Sequence, residues 1–205
     1  MIKAIIFDLG NVLVSFNHHI AAGKIAALSA KTEKEIFQFF FDSPLTGLFE
    51  EGKISPRQFF REVKKALKLD MNYADFLPVW NEIFFLTDSN HAVYKLAKAL
   101  RKNYRVALLS NINTLHCDYL KDNFPVFDAF HNLLFSFEMK LKKPDARIYK
   151  KALAMLTAAP QETFYTDDRP ELIESARQVG LQGFVFKGIE QLKKDLENAG
   201  VKIRG

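Results

Sequence analysis

A chain of 205 residues with 48% apolar and 26% charged side chains can enclose one good-sized core with room for a small second lobe, and its few glycines and prolines exclude collagen-like and low-complexity classes. No window reaches the length of a membrane-spanning helix, and the first apolar run, Ala4-Ile5-Ile6-Phe7, stops at Asp8, too soon for a signal peptide. The formal charge of +5 suits an anionic ligand, but the lysines are dispersed and no zinc-finger, aromatic RNA-binding or basic-arm pattern accompanies them, so neither nucleic acid nor membrane is an expected partner.

Lys3 to Phe7 is apolar after its lysine, as a parallel strand covered on both faces requires, and it ends on Asp8 and a glycine turn, "FDLGNVLV". From about residue 16 to 86 the patterns are helical with no convincing strand. "ISPRQFFREVKKAL" has a start signal, Ser55 as cap and Pro56 in the first helical position. The same stretch is dense in phenylalanine, "EIFQFFFDSPLTGLFEEG" (35–52), which predicts a core for that lobe, the alternative being a pocket wall or a dimer contact.

Strand and helix then alternate. Arg105–Leu109, Thr163–Thr166 and Gly183–Phe186 read as strands; Ile148–Leu156 and Leu172–Val179 read as helices. That order predicts an α/β fold, a Rossmann-like, doubly wound parallel sheet with right-handed crossovers. The core is expected to comprise 1–15 and 87–205, with 16–86 inserted as a small helical cap. Cys117, the lone cysteine, cannot form an internal disulfide and is expected to pack inertly in a reducing, cytoplasmic setting.

Ligands of open α/β sheets bind outside the carboxyl ends of the strands, and four polar clusters sit there: Asp8, Ser110-Asn111, Lys143 and Asp167-Asp168. Each has an ordinary structural explanation. Ser110, Asn111 and Asn113 turn the chain and cap a helix from Thr114; Asp168, with Pro170 and Glu171, caps the next helix; Lys143 is solvated; Asp8 is a turn residue. Convergence on one crevice argues for function instead, because it unites a carboxylate nucleophile, hydroxyl and amide donors, a cation and an acidic pair.

"IIFDLGNVLV", "VALLSNIN", "KLKKPDARIYKKAL" and "TFYTDDRPELIESA" resemble, in order, the four motifs of the haloacid dehalogenase (HAD) superfamily, and the likeness extends over essentially the whole chain. Within it, Asp-x-Gly-Asn-Val is similar to the branch of sugar-phosphate phosphatases that act on glucose 1-phosphate, related to the N-terminal phosphatase domain of epoxide hydrolases. The resemblance implies a Mg²⁺-dependent hydrolase of small phosphorylated metabolites, monomeric or homodimeric. Asp8 would attack phosphorus and carry it as an aspartyl-phosphate. Ser110 and the Asn111 backbone amide would bind the phosphoryl oxygens, and Lys143 would neutralise them and pair with Asp8. Asp8, the carbonyl of Gly10 and Asp168 would ligate the metal, with Asp167 binding directly or through water. Because Lys143 would serve the phosphoryl group, Lys143→Ala is expected to cripple turnover with modest effect on folding.

Two departures stand out. Gly10 occupies the place of a second aspartate that, in the resembled phosphatases, protonates the leaving oxygen and later activates water, a role generally worth about 10²–10⁴-fold. Its absence suits a leaving group needing little help, such as the anomeric oxygen of a sugar 1-phosphate; a substitute role for His18 or His19 is a further option. The alternatives are a metal-independent 2-haloacid dehalogenase, which the acidic pair disfavours, and a catalytically silent phosphometabolite-binding module, which retention of Asp8 and Lys143 disfavours. Leu172 stands where related sequences carry a polar support for the metal, which predicts weaker Mg²⁺ binding.

Overall fold

The computed structural model describes residues 1–203, those at 41 and 42 by their backbone alone. Five strands, β1 (Ala4–Phe7), β4 (Arg105–Ser110), β5 (Asn132–Phe135), β6 (Thr163–Asp167) and β7 (Gln182–Val185), form a parallel sheet in the order β5-β4-β1-β6-β7. The chain builds outward from β1 in one direction and then in the other, so the strand order reverses at β1 and a crevice opens at its carboxyl end.

Alternation along β1 explains why both sheet faces are covered. Ile5 and Phe7 point into one core with Val93 and Leu96 of α6 (Asp88–Leu100), Leu120 of α7 (Thr114–Asn123) and Leu196 of α11 (Ile189–Asn198). Ala4 and Ile6 point into the other, with Ile148 and Ala152 of α9 (Ala146–Leu156) and Ile173 of α10 (Pro170–Gln178). A short helix, α8 (Ser136–Met139), follows β5. Among the described residues, no helix is long and apolar enough to cross a membrane.

Five helices intervene between β1 and the rest of the sheet: α1 (His18–Ala26), α2 (Glu33–Asp42), α3 (Pro44–Glu50), α4 (Pro56–Leu67) and α5 (Tyr73–Asn81). The predicted start of α4 is present: Ser55 accepts from the Gln58 amide, the Gln58 side chain accepts from the Ser55 N–H, and Pro56 opens the helix. Phe59, Phe60, Val63 and Leu67 then face inward and join Phe40, Phe49, Phe76 and Trp80 in a third core. The phenylalanine-rich stretch thus makes a core among these helices; the Phe41 side chain lies outside the described residues.

Three strands escaped the sequence reading. β2 (Ser15–Phe16) and β3 (Phe84–Phe85) pair antiparallel where the chain leaves for the helices and returns, but two residues each are too few to show a period. β5 is an edge strand whose first two residues are partly exposed, so it lacks the continuous apolar run of a central strand. One cap assignment also changes. The N-cap of α10 is Arg169 with no side-chain cap, so Asp168 is not a capping residue.

Candidate active site

Asp8 follows β1 with its amide still donating to the Thr166 carbonyl of β6 at 2.9 Å, which seats the carboxylate at the strand tip. The chain then folds back on itself, Val14 N–H reaching the Leu9 carbonyl at 3.0 Å and Asn11 N–H the Val14 carbonyl at 2.8 Å. Asn11 adopts the left-handed region, φ 55°, which asparagine tolerates better than most residues. Its side-chain amide donates to Asp168 Oδ2 at 2.9 Å, so the acid turns toward the crevice and away from the helix it precedes.

Asn111 holds both backbone groups of Lys143: its Oδ1 accepts from the Lys143 N–H and its Nδ2 donates to the Lys143 carbonyl, each at 2.8 Å. So clamped, Lys143 directs its ammonium inward, where all three protons find acceptors: Asp8 Oδ1 at 2.7 Å, Asp167 Oδ2 at 2.7 Å and the Leu109 carbonyl at 3.1 Å. The residue is 2% exposed, which corrects the solvated reading. The two carboxylates that depend on it argue against the expected modest effect of its loss on folding.

Asp167 is fully engaged. Its Oδ2 also accepts from the Tyr165 hydroxyl, and its Oδ1 accepts from the Arg169 N–H at 3.0 Å. Burial pushes its pKa up, but Lys143, Tyr165 and the Arg169 amide outweigh burial and hold it below the usual range. Asp8 differs: burial raises it to about 7, with Lys143 opposing and Asp167 reinforcing the shift. Asp168 is raised too, by burial and by Asp167, against the Asn11 bond. Burial lowers and the two aspartates raise Lys143, whose net shift is upward.

Asp8, Asp167 and Asp168 each offer an oxygen within 4.8 Å of the others. Three carboxylates against one ammonium leave uncompensated negative charge in a largely buried place, which is costly without a further cation. Carboxylate and carbonyl oxygens are the donor set of a hard divalent ion, so the residues fit magnesium. Asp8, Gly10 and Asp168 line a cavity of about 560 Å³, whereas Asp167 is turned away from it toward Lys143.

Ser110 and Asn111 line the same cavity, so Asp8, Gly10, Ser110, Asn111, Lys143 and Asp168 are brought together. Four aromatic residues, Phe40 of α2, Trp80 of α5, and Phe16 and Phe84 of the β2–β3 pair, face them. A Cβ on Gly10 would stand 2.7 Å from a ring carbon of Phe16, so the space of the absent second carboxylate is filled by an aromatic ring. His18 lines the cavity, but burial and His19 push its imidazole down to about 4, leaving it neutral and unable to donate a proton near pH 7. His19 lies aside, stacked on Phe37 and bonded to Glu33 at 2.7 Å. Leu172 is a buried, apolar part of the cavity wall, and Cys117 is buried with its thiol pushed up to about 11, hence inert.

Sequence reasoning gave no role to the Asn11 side chain, the Asn111 clamp or Tyr165. The Gly-Asn pair after Asp8 was a usable turn signal. The other two depend on contacts that only the fold creates.

A family model described as haloacid dehalogenase-like hydrolase matches residues 2–180. A D-ribitol-5-phosphate phosphatase of Bacteroides thetaiotaomicron is 27% identical over 196 residues, 90% of this chain and 91% of that protein. A sesquiterpene phosphatase of Aspergillus oryzae is 22% identical over 182 residues, 88% of each chain. Among solved structures, a HAD family enzyme of Bacteroides thetaiotaomicron in complex with magnesium and inorganic phosphate superposes with a TM-score of 0.80 at 25% identity, over 91% of this chain and 95% of that one.

Proposed function

The chain belongs to the haloacid dehalogenase-like hydrolases, and from that premise we propose that it is a magnesium-dependent phosphatase of small phosphomonoesters, sugar phosphates such as a sugar 1-phosphate among them. The observation that carries this reading is the Lys143 ammonium held between Asp8 and Asp167, with Asp168 beside them, at the carboxyl ends of β1 and β6. The relatives named above, a sugar-alcohol phosphate phosphatase among them, add support. The core is taken as 1–15 and 87–205, and the 16–86 lobe as the cap that covers the cavity and selects the substrate.

Asp8, the Gly10 carbonyl and Asp168 would hold the magnesium; Asp167, already bonded to Lys143, Tyr165 and Arg169, would position the lysine. When bound, magnesium supplies positive charge that keeps the Asp8 carboxylate ionised and offsets its repulsion from an anionic phosphate. The free oxygen of Asp8 attacks phosphorus, the bond to the leaving oxygen breaks, and that oxygen departs with the electron pair. The Ser110 hydroxyl and the Asn111 backbone N–H donate to the phosphoryl oxygens while Lys143 balances their charge. The dehalogenase alternative leaves the three-carboxylate cluster unexplained.

Release of inorganic phosphate from a panel of phosphomonoesters is expected with magnesium and is expected to vanish with a chelator. Chelator-resistant release would refute the reading. Thermal unfolding gives a second readout. Without metal, Asp8 titrates at about 7 folded against an ordinary 3.8, so its contribution to stability is present below the ordinary value and lost as pH rises through about 7. Magnesium is therefore expected to raise Tm most above pH 7, with about 2.7 kcal/mol gained at 100 times the Kd. The gain should shrink as pH falls and protons compete for Asp8 and Asp168.

Gly10→Asp tests the leaving-group argument. The new side chain needs the Phe16 ring to move, so Gly10→Asp/Phe16→Ala is the cleaner variant. With a carboxyl restored, alkyl phosphates are expected to gain at least ~10-fold over sugar 1-phosphates in kcat/KM, since only the former need a proton donor. An equal gain for both would count against the idea.

A further inference from the structure

A leaving group that departs unaided accounts for half of the proposed reaction. Hydrolysis of the phosphorylated Asp8 still requires a water molecule to lose a proton, and Gly10 offers nothing to accept it. The space beside Gly10 is filled by Phe16. His18 and His116 line the cavity as very weak bases, pushed by burial to about 4 and about 3, and both ring nitrogens of His116 are engaged, with the Asn113 side chain and the Trp80 carbonyl. Among the described residues lining the cavity, the acidic ones are Asp8, Asp168 and Glu50. Asp8 is the proposed nucleophile and Asp168 a proposed metal ligand.

Glu50 ends α3, in the helical lobe, yet it is fixed to the core. Its carbonyl accepts from the Ser136 hydroxyl at 2.7 Å, and that oxygen in turn accepts from the Ile112 N–H at 2.9 Å, one residue past Asn111. Two residues on, the Gly52 carbonyl accepts from Lys140 Nζ at 2.7 Å. The Glu50 carboxylate lies 3.5 Å from Lys142 Nζ and its side chain is 24% exposed. Residues 50–52 are thus gripped at three points by the 136–142 segment, which runs directly into Lys143. Gly52 shows how close this contact is: its φ is +61° and a Cβ there would meet the Phe137 carbonyl at 2.4 Å.

We infer that Glu50 is the general base that takes the proton from the water hydrolysing phosphorylated Asp8. The inference rests on the phosphatase reading above. The water oxygen bonds to phosphorus, its proton passes to Glu50, and the bond between phosphorus and Asp8 breaks; Asp8 recovers its electron pair, inorganic phosphate leaves, and Glu50 returns the proton to solvent. Burial raises the pKa of Glu50, while Lys142, Arg169 and Lys143, the charged groups facing it, pull the other way without reversing the shift. A carboxylate made more basic in this way is a better proton acceptor than an ordinary glutamate.

The test uses the magnesium-loaded enzyme and p-nitrophenyl phosphate, whose leaving group needs no acid. Glu50→Gln is expected to give a burst near one equivalent of nitrophenolate per site, with phosphate retained on the acid-quenched protein, followed by turnover about 10²–10⁴-fold slower than wild type. Unchanged turnover, or slow turnover without a burst, would overturn the inference. Lys142→Met provides an independent check that leaves Glu50 in place. Removing that cation is expected to move the acidic limb of the kcat–pH profile to higher pH, and an unmoved limb counts against Glu50. If Asp8→Asn still turned over, the phosphatase reading itself would fall, and Glu50's role with it.

Discussion

Asp8→Asn is expected to reduce phosphate release by on the order of 10⁴-fold or more while leaving the protein folded. An amide has nearly the size of the carboxylate but no nucleophilic oxygen, so the proposed covalent step has no partner. Lys143 keeps its bonds to Asp167 and the Leu109 carbonyl, and an amide oxygen at position 8 still accepts from it. The substitution also removes a carboxylate that burial and Asp167 make unfavourable in its charged form. Metal-free Asp8→Asn should therefore match or exceed wild-type stability above pH 7, where the wild-type group must ionise. Phosphate release and thermal unfolding on the same preparation check both halves. Residual turnover near the wild-type rate would remove Asp8 from the chemistry.

The parts of this molecule that were legible in the sequence are those fixed by local pattern. Ala4 to Phe7 is uniformly apolar because β1 lies at the centre of the sheet and meets a core on each face. The site was legible at the level of its parts because parallel strands deliver their carboxyl ends to one edge, so Asp8, Ser110 and Asp167-Asp168 had to meet there. What stayed hidden depends on partners distant in sequence. The burial of Lys143 follows from a clamp by Asn111, 32 residues away. Asp168 followed by Pro170 and Glu171 has the pattern of a helix cap, yet the Asn11 amide, 157 residues away, claims its side chain. Glu50 sits in "FEEG" beside Glu51, indistinguishable from a solvated helix end until the 136–142 segment is laid against it.

Lys143→Ala is expected to lose turnover and fold stability together. The residue is 2% exposed and its ammonium pairs with two carboxylates at 2.7 Å, one of them Asp167 with no exposed side-chain surface. Removing one member of a buried ion cluster generally destabilises by about 3–5 kcal/mol, chiefly because the remaining charges are left unpaired. Sequence alone had suggested otherwise, since it paired the lysine with Asp8 and phosphate but gave it no role toward Asp167. The stability loss should be measured by denaturant unfolding of metal-free protein above pH 7, where Asp8 is ionised. Lys143→Ala/Asp8→Asn separates the two roles. With one carboxylate neutralised, part of the lost stability should return, because contacting charges do not contribute additively. Turnover should not return, since the nucleophile is also gone. A single Lys143→Ala variant as stable as wild type would mean that the two short ion pairs do not hold this corner of the fold.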